Sequence, residues 1–125
     1  MIELTLPFPV STNAIWRSNR RHVHKSENYK NWLRECGVLI AQQKPKPVHG
    51  WFKMYLLLVV ADARRRDIDN FVKAVLDLLK HHELIDDDRW NCGFVVDLGT
   101  AKKARCEVIV NESDGPIEAE IEEAD

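Results

Sequence analysis

The stretch that decides the fold reads WFKMYLLLVVA and spans Trp51–Ala61. It opens after Gly50, is rich in β-branched and aromatic residues, and gives way to polar residues at Asp62. An apolar run of this kind, bounded by turn residues, predicts a central strand that is buried on both faces. Its uninterrupted apolar part, Met54–Ala61, is too short to cross a bilayer as a helix.

The chain before this strand predicts one more strand and one helix. Ile2–Leu6 alternates between apolar and polar residues, as a half-buried strand does, and prolines follow it. A polar and basic loop is expected to extend to about Lys25. Ser26 is suited to cap a first helix that ends before Pro45, because apolar residues recur at helical spacing after it: Tyr29, Trp32, Leu33, Cys36, Leu39 and Ile40.

The chain after the central strand predicts a second helix and two strands. From about Asp69 to Lys80, an apolar stripe has the spacing of an amphipathic helix and consists of Val72, Val75, Leu76 and Leu79. Cys92–Leu98 and Arg105–Val110 have the composition of strands, and their short connection predicts a hairpin. We therefore expect an α+β fold, a single domain of order β-α-β-α-β-β with a mixed four-stranded sheet and two helices packed on it.

The composition agrees with one globular domain in a reducing compartment. The chain has 125 residues, which suits a single hydrophobic core. Its three cysteines, Cys36, Cys92 and Cys106, are odd in number and widely spaced, so buried free thiols are expected rather than disulfides or a zinc site. No basic and apolar leader opens the chain, so we expect a cytoplasmic location and no membrane partner.

The formal net charge of −2 hides an uneven distribution. Residues 111–125 carry seven acidic side chains and no basic one, which leaves 18 basic against 13 acidic side chains in residues 1–110. A mildly basic body is compatible with a polyanionic partner. We expect a folded domain over residues 1–112 and an acidic tail over residues 113–125 that is disordered or forms one weakly amphipathic turn.

The segment after the central strand carries the chemistry. Asp67 and Asp69 lie two residues apart, directly behind three consecutive arginines, Arg64, Arg65 and Arg66. Isolated Asp-x-Asp pairs are common on solvated surfaces, but here the pair follows a buried strand and three cations that would repel one another without a partner. Two carboxylates suit Mg²⁺, and the arginines suit neighbouring phosphates.

A lysine and a third carboxylate extend this constellation. Lys73 falls one helical turn after Asp69, where an ordinary i, i+4 salt bridge would explain the spacing as well as catalysis does. The acidic turn Asp86–Asp88 follows the second helix and supplies a third carboxylate if the chain folds back. Phosphodiester hydrolysis uses a metal held by carboxylates to activate water, together with a nearby ammonium that stabilises negative charge.

A basic stretch precedes the first helix. It contains Arg17, Arg20, Arg21 and Lys25 together with Trp16, His22 and His24, so that it either contacts DNA or forms a solvated charged loop. Trp32 and Trp51 are expected in the core, whereas Trp90 belongs either to the core or to the edge of the site.

These motifs resemble the RusA family of Holliday junction resolvases, the crossover junction endodeoxyribonucleases of phages and prophages. The similarity is strongest in Arg64–Asn70, continues through Lys73-Ala74 and Leu84–Asp87, and extends to the opening Leu6–Pro9 with Asn13 a few residues later. It spans about residues 2–112, which would form a RusA-like endonuclease domain. The acidic tail is outside it.

The resemblance implies roles for particular residues. Asp67, Asp69 and Asp87 would bind the metal, Mg²⁺ or Mn²⁺, and Lys73 would be the catalytic lysine; the neighbours Asp86 and Asp88 remain alternatives to Asp87. Arg64, Arg65, Arg66 and the basic stretch with Asn13 would contact DNA. The enzyme would be a homodimer that nicks four-way junctions symmetrically in DNA recombination and repair. A nuclease for flaps or other branched DNA, or a non-catalytic DNA-binding module, would fit the same residues.

Overall fold

A computed structural model describes residues 1–11, 16–18 and 23–119, with side chains described for residues 1–11 and 25–119. The main sheet has four strands in the order β1-β6-β4-β5: β1 (Ile2–Leu6), β4 (Phe52–Val60), β5 (Asn91–Thr100) and β6 (Arg105–Glu112). The helices are α1 (Glu27–Gln43) and α2 (Val72–His81), and two short 3-10 helices, Ile68–Phe71 and Asp88–Trp90, lie before and after α2 in the chain. The expected α+β fold, with a mixed four-stranded sheet and two helices, is confirmed.

Two short strands stand where the sequence predicted only a loop. Strands β2 (Trp16–Ser18) and β3 (Val23–Lys25) pair antiparallel as a separate two-stranded sheet. Helix α1 begins directly afterwards, and the backbone N–H of Tyr29 donates a hydrogen bond of 3.2 Å to Ser26 Oγ, which confirms the predicted cap. The helix ends at Lys44, which has a left-handed backbone (φ 50°), just before Pro45.

Strand β4 is the centre of the sheet, but the predicted hairpin between β5 and β6 is wrong. Strand β5 runs parallel to β4 on one side, and β6 runs antiparallel to it on the other. The connection 101–104 therefore passes over the end of β4, where the N–H of Ala101 donates to the carbonyl of Val60 at 3.1 Å. A short connection does not distinguish this crossing from a direct hairpin.

The helices cover only one face of β4, so the prediction of burial on both faces is wrong over most of the strand. Phe52, Met54, Leu56 and Leu58 are buried in one cluster with the apolar residues of α1 and α2. On the opposite face, Lys53 is exposed, Tyr55 and Leu57 are half-buried, and Val59 is buried near the end of the strand. Both helices therefore pack on the same side of the sheet, and the apolar residues of β4 alone do not reveal which face they cover.

The remaining predictions for the core are met in part. Trp32 is buried and donates its indole N–H to the carbonyl of Pro7, whereas Trp51 is only half-buried. Cys36 and Cys106 are buried free thiols, and burial raises the pKa of each to about 12. Cys92 is half-buried. No helix among the described residues has the length and apolar character needed to cross a membrane.

Candidate active site

The acidic turn folds back onto α2. Lys73 Nζ, near the start of the helix, lies 3.2 Å from Asp88 Oδ2. Lys80 Nζ, near its end, lies 3.1 Å from Asp87 Oδ2. The turn therefore lies on the helix-covered side of the sheet, as a shared site with the carboxylates before α2 requires.

The three aspartates of the turn have different partners. Asp86 points away from the lysines of α2 and contacts His49 Nδ1 and the N–H of Gly50, each at 2.8 Å. The pKa of the Asp87 carboxyl lies well below its usual range, first because of its side-chain contact with Asp88, and then because it accepts hydrogen bonds from the N–H of Arg89 and the ammonium of Lys80. Asp88 alone of the three contacts Lys73.

Lys73 is held between two carboxylates. Its ammonium lies 3.0 Å from Asp77 Oδ1 as well as 3.2 Å from Asp88 Oδ2. The hydrogen bond to Asp77, followed by that to Asp88, raises the pKa of Lys73. The salt bridge at i, i+4 spacing thus exists, but it joins Lys73 to Asp77 rather than to Asp69. Lys73 is consequently a stable cation and not a proton acceptor at neutral pH.

Asp67 and Asp69 lie at the start of the 3-10 helix Ile68–Phe71. The carbonyl of Asp67 accepts the N–H of Asn70 at 3.1 Å, which fixes the turn. Both side chains are exposed, and neither carboxylate has a hydrogen bond or ion pair with any residue that the structure describes. This pair is therefore free to bind a cation from solvent.

The three arginines have separate environments. Arg66 donates two hydrogen bonds of 2.8 Å to the carboxylate of Asp62, and its guanidinium lies 5.6 Å from the centre of the Phe8 ring. Arg64 receives weaker support from the same carboxylate, at 3.7 Å. Arg65 is exposed and, with Arg66, Asp67 and Leu98, lines an open recess. Asp62 thus relieves the repulsion among these cations, while Arg65 is exposed in the same recess as Asp67.

The predicted residues before α1 are only partly described. Asn13, Arg20 and Arg21 lie outside the described residues, and Arg17 is described only through its backbone in β2. Lys25 is exposed, and its Nζ lies 5.5 Å from the centre of the Tyr29 ring. Contacts of these residues with DNA remain predictions.

The donor chemistry suits Mg²⁺, although three ligands do not converge on one point. Within the described residues, no group of three acidic, histidine or cysteine side chains is arranged to hold a metal ion. Mg²⁺ is commonly held by one or two carboxylates, with water and substrate phosphate completing its shell. Asp67 and Asp69 provide such a pair, and Asp88 is the carboxylate of the acidic turn that reaches Lys73.

Two contributors to the site were missed by sequence reasoning. Asp62 lies four residues before Arg66, and that charge spacing was a usable signal for their pairing. His49 is 37 positions from Asp86 in the chain, and no local pattern indicates their contact.

We expect the contact between Asp62 and Arg66 to stabilise the fold above acidic pH. The hydrogen bond from Arg66, with that from the N–H of Arg64, lowers the pKa of Asp62 in the folded state. The stabilisation is therefore complete above the unfolded-state pKa of about 3.9 and is lost as the pH falls towards the folded value. Asp62→Asn should lower the Tm at pH 7, and the difference from the wild type should shrink below about pH 4. Thermal unfolding monitored by circular dichroism measures this, with Asp114→Asn as an exposed control; a difference that does not vary with pH contradicts it.

Comparison with known proteins places this site in a family. The family model described as Endodeoxyribonuclease RusA matches residues 7–111. Crossover junction endodeoxyribonuclease rusA of Enterobacteria phage HK97 is 30% identical over 87 residues, covering 69% of this chain and 72% of that protein. The RusA proteins of Escherichia coli K12 and Shigella sonnei Ss046 are each 29% identical over 117 residues, covering 87% of this chain and 92% of each relative. The match extends over the acids, arginines and lysine described above, and the chain therefore belongs to the RusA family of endodeoxyribonucleases.

Proposed function

We propose that this chain is a Mg²⁺-dependent endonuclease that resolves four-way DNA junctions by symmetric nicking during recombination and repair. The observation that carries the proposal is that the carboxylates of Asp67 and Asp69 have no partner among the described residues, while Asp67 lines the same open recess as the exposed Arg65. Each relative named above is a crossover junction endodeoxyribonuclease. A surface of unpaired acids would repel DNA, so a cation is needed before phosphate can approach it.

Asp67 and Asp69 are the residues that would hold the ion, with Mn²⁺ as a substitute for Mg²⁺. A bound divalent ion lowers the pKa of a coordinated water and offsets negative charge on the phosphate. The carboxylates fix that ion next to Arg65, which is exposed and can pair with an adjacent phosphate through its planar guanidinium. Arg66 is better understood as a support for the loop, because Asp62 and Phe8 occupy its guanidinium.

We assign the third carboxylate of the site to Asp88 rather than to Asp87. Asp88 contacts Lys73 in the first turn of α2, and this turn follows the segment that contains Asp67 and Asp69. The carboxylate of Asp87 also contacts Asp88, but its cationic partner is Lys80, seven residues further along α2. Asp87 also accepts the N–H of Arg89, whereas Asp88 is the member of the turn that contacts Lys73.

Lys73 would act as a cation in the reaction. Asp77 and Asp88 hold its ammonium in the charged form, so it can stabilise charge on the phosphate or on the departing oxygen. Hydrolysis by an activated water would leave 5′-phosphate and 3′-hydroxyl ends. Arg64 and the basic residues before α1 would contact the DNA backbone outside the reacting phosphate.

A second copy of the chain would pair along the outer edge of β5. Among the described residues, no strand pairs with that edge, and Asp97 is the only charged residue of the strand. Phe94, Val95 and Leu98 are exposed by 52%, 56% and 48%. Unprotected apolar edge strands commonly join another chain. A two-fold pairing there would give the homodimer two identical sites for opposing strands of a junction.

Replacing Asp69 tests the enzyme. Asp69→Asn should reduce cleavage of a synthetic four-way junction by at least about a hundredfold, because ion binding depends on the carboxylate charge. Gel shifts in EDTA should show binding that is unchanged or tighter, since one negative charge near the phosphates is removed. EDTA should abolish wild-type cleavage, and Asp114→Asn should cleave normally. If Asp69→Asn cleaves at the wild-type rate, the enzyme proposal fails; preferential cleavage of flaps would redirect it to other branched DNA.

Paired substitutions test the assignment of Asp88. Asp88→Asn should reduce junction cleavage about as severely as Asp69→Asn, because it removes a carboxylate next to Lys73. Asp87→Asn should have a smaller effect on the rate, because it disturbs the contact with Lys80 at the far end of α2. The kcat of each variant and its DNA affinity in EDTA are the measurements. The reverse order, with Asp87→Asn the more damaging, would restore Asp87 as the third ligand.

The oligomeric state tests the β5 edge. The wild type should sediment as a dimer in analytical ultracentrifugation, and Phe94→Glu should sediment as a monomer because it places a charge in the pairing edge. Val38→Glu is the matched control, since Val38 is equally exposed, at 58%, but lies on α1. A monomeric wild type, or a Phe94→Glu variant that remains dimeric, contradicts the proposed pairing.

A further inference from the structure

The segment that precedes β4 is fastened to the acidic turn at three successive points. The N–H of Val48 donates to the carbonyl of Leu84 at 2.8 Å. The N–H of Gly50 then donates to Asp86 Oδ2 at 2.8 Å, and His49 Nδ1 lies 2.8 Å from Asp86 Oδ1. Both oxygens of the Asp86 carboxylate are thereby used within the chain.

Aromatic contact extends this attachment beyond the turn. The rings of Trp51 and Trp90 meet edge to face with centroids 4.9 Å apart. Residues 48–51 thus contact residues 84–90 in order along both segments. We call residues 48–51 the clamp segment.

The clamp segment rests on the core and has a backbone suited to the contact. Val48 is fully buried, and Leu84 and Ile85 are buried on the side of the turn. Gly50 has φ 73°, a left-handed conformation that L side chains rarely adopt, and this conformation accompanies the N–H contact with Asp86. The turn is therefore held by apolar packing of its first residues and by the carboxylate of Asp86.

The contacts of the clamp segment offset part of the repulsion among the three consecutive carboxylates of the acidic turn. Asp86, Asp87 and Asp88 are consecutive, and neighbouring carboxylates repel one another. Lys73 and Lys80 attract Asp88 and Asp87 towards α2. Asp86 anchors the other side of the turn, so the two lysines and the clamp segment together determine which carboxylate faces Lys73.

We propose that Asp86 is a positioning residue, which fastens the acidic turn to the clamp segment so that Asp88 faces Lys73. The role in cleavage rests on the proposed nuclease function, whereas the fastening itself does not. Asp86 then acts through the geometry of its two hydrogen bonds and not through contact with DNA or metal. An asparagine can make both contacts, because its carbonyl accepts from the Gly50 N–H and its amide donates to a neutral His49.

Cleavage by two variants separates positioning from charge. Asp86→Ala should lower the kcat for a four-way junction about ten- to a hundredfold, in the range seen when residues that orient a metal ligand are removed, and should leave KM and DNA affinity in EDTA nearly unchanged. Asp86→Asn should retain activity within about threefold of the wild type, whereas the same change at Asp88 should abolish most of the activity. If Asp86→Asn loses as much activity as Asp86→Ala, Asp86 acts through its charge and the proposal is overturned.

Hydrogen exchange tests the fastening without DNA or metal. The amides of Arg89 and Trp90 are bonded to Asp87, so their protection reports the order of the turn, while the Gly50 amide reports the clamp contact. In the full chain, Asp86→Ala should speed exchange at all three amides, and Asp86→Asn should preserve their protection. Faster exchange at Gly50 alone would show that the turn keeps its order without Asp86, which overturns the proposal. If the wild type cleaves no DNA, the proposed function fails, and the exchange result still tests whether Asp86 fastens the acidic turn to the clamp segment.

Discussion

The arrangement of the molecule depends on the double pairing of β4. Hydrogen bonds to β5 and β6 occupy both edges of this strand, so no further strand can pair with it. The clamp segment enters at one end, and the loop with Asp62 and the arginines leaves at the other. Because α1 and α2 cover the same face, Lys73 and the acidic turn that contacts α2 lie on that side of the sheet.

Asp67 and Asp69 differ from the other aspartates around α2 because their charge is not compensated by a partner among the described residues. Most of the aspartates around α2 contact a cation or a backbone N–H, and these are Asp62, Asp77, Asp86, Asp87 and Asp88. Asp67 and Asp69 have no such partner among the described residues, although three arginines lie close in the chain. Among the described aspartates around α2, negative charge is thus offset by a partner except at Asp67 and Asp69. This contrast, more than the number of acids, distinguishes the site from an ordinary charged surface.

The sequence predicted the elements better than their neighbours. Apolar periodicity identified α1, α2 and β1, because burial of one face imposes a repeat on an element. Apolar and β-branched composition identified the other three main strands. It did not predict that β6 would lie between β1 and β4, since strand order depends on contacts between distant residues. The motif around Asp67 and Asp69 was visible as a local pattern. The different partners of Asp86, Asp87 and Asp88 were not, because three identical neighbours carry no information about which way each side chain turns.

The unequal burial of the thiols makes the chain suited to chemical labelling at one place. Cys36 and Cys106 are buried, and the high pKa that burial gives them leaves almost no reactive thiolate at neutral pH. Cys92 is half-buried at the start of β5, where its thiol contacts the carbonyl of Phe52 and the hydroxyl of Ser113. A maleimide fluorophore would therefore attach to the native chain at Cys92 first, two residues from the Trp90 ring, without any engineered cysteine.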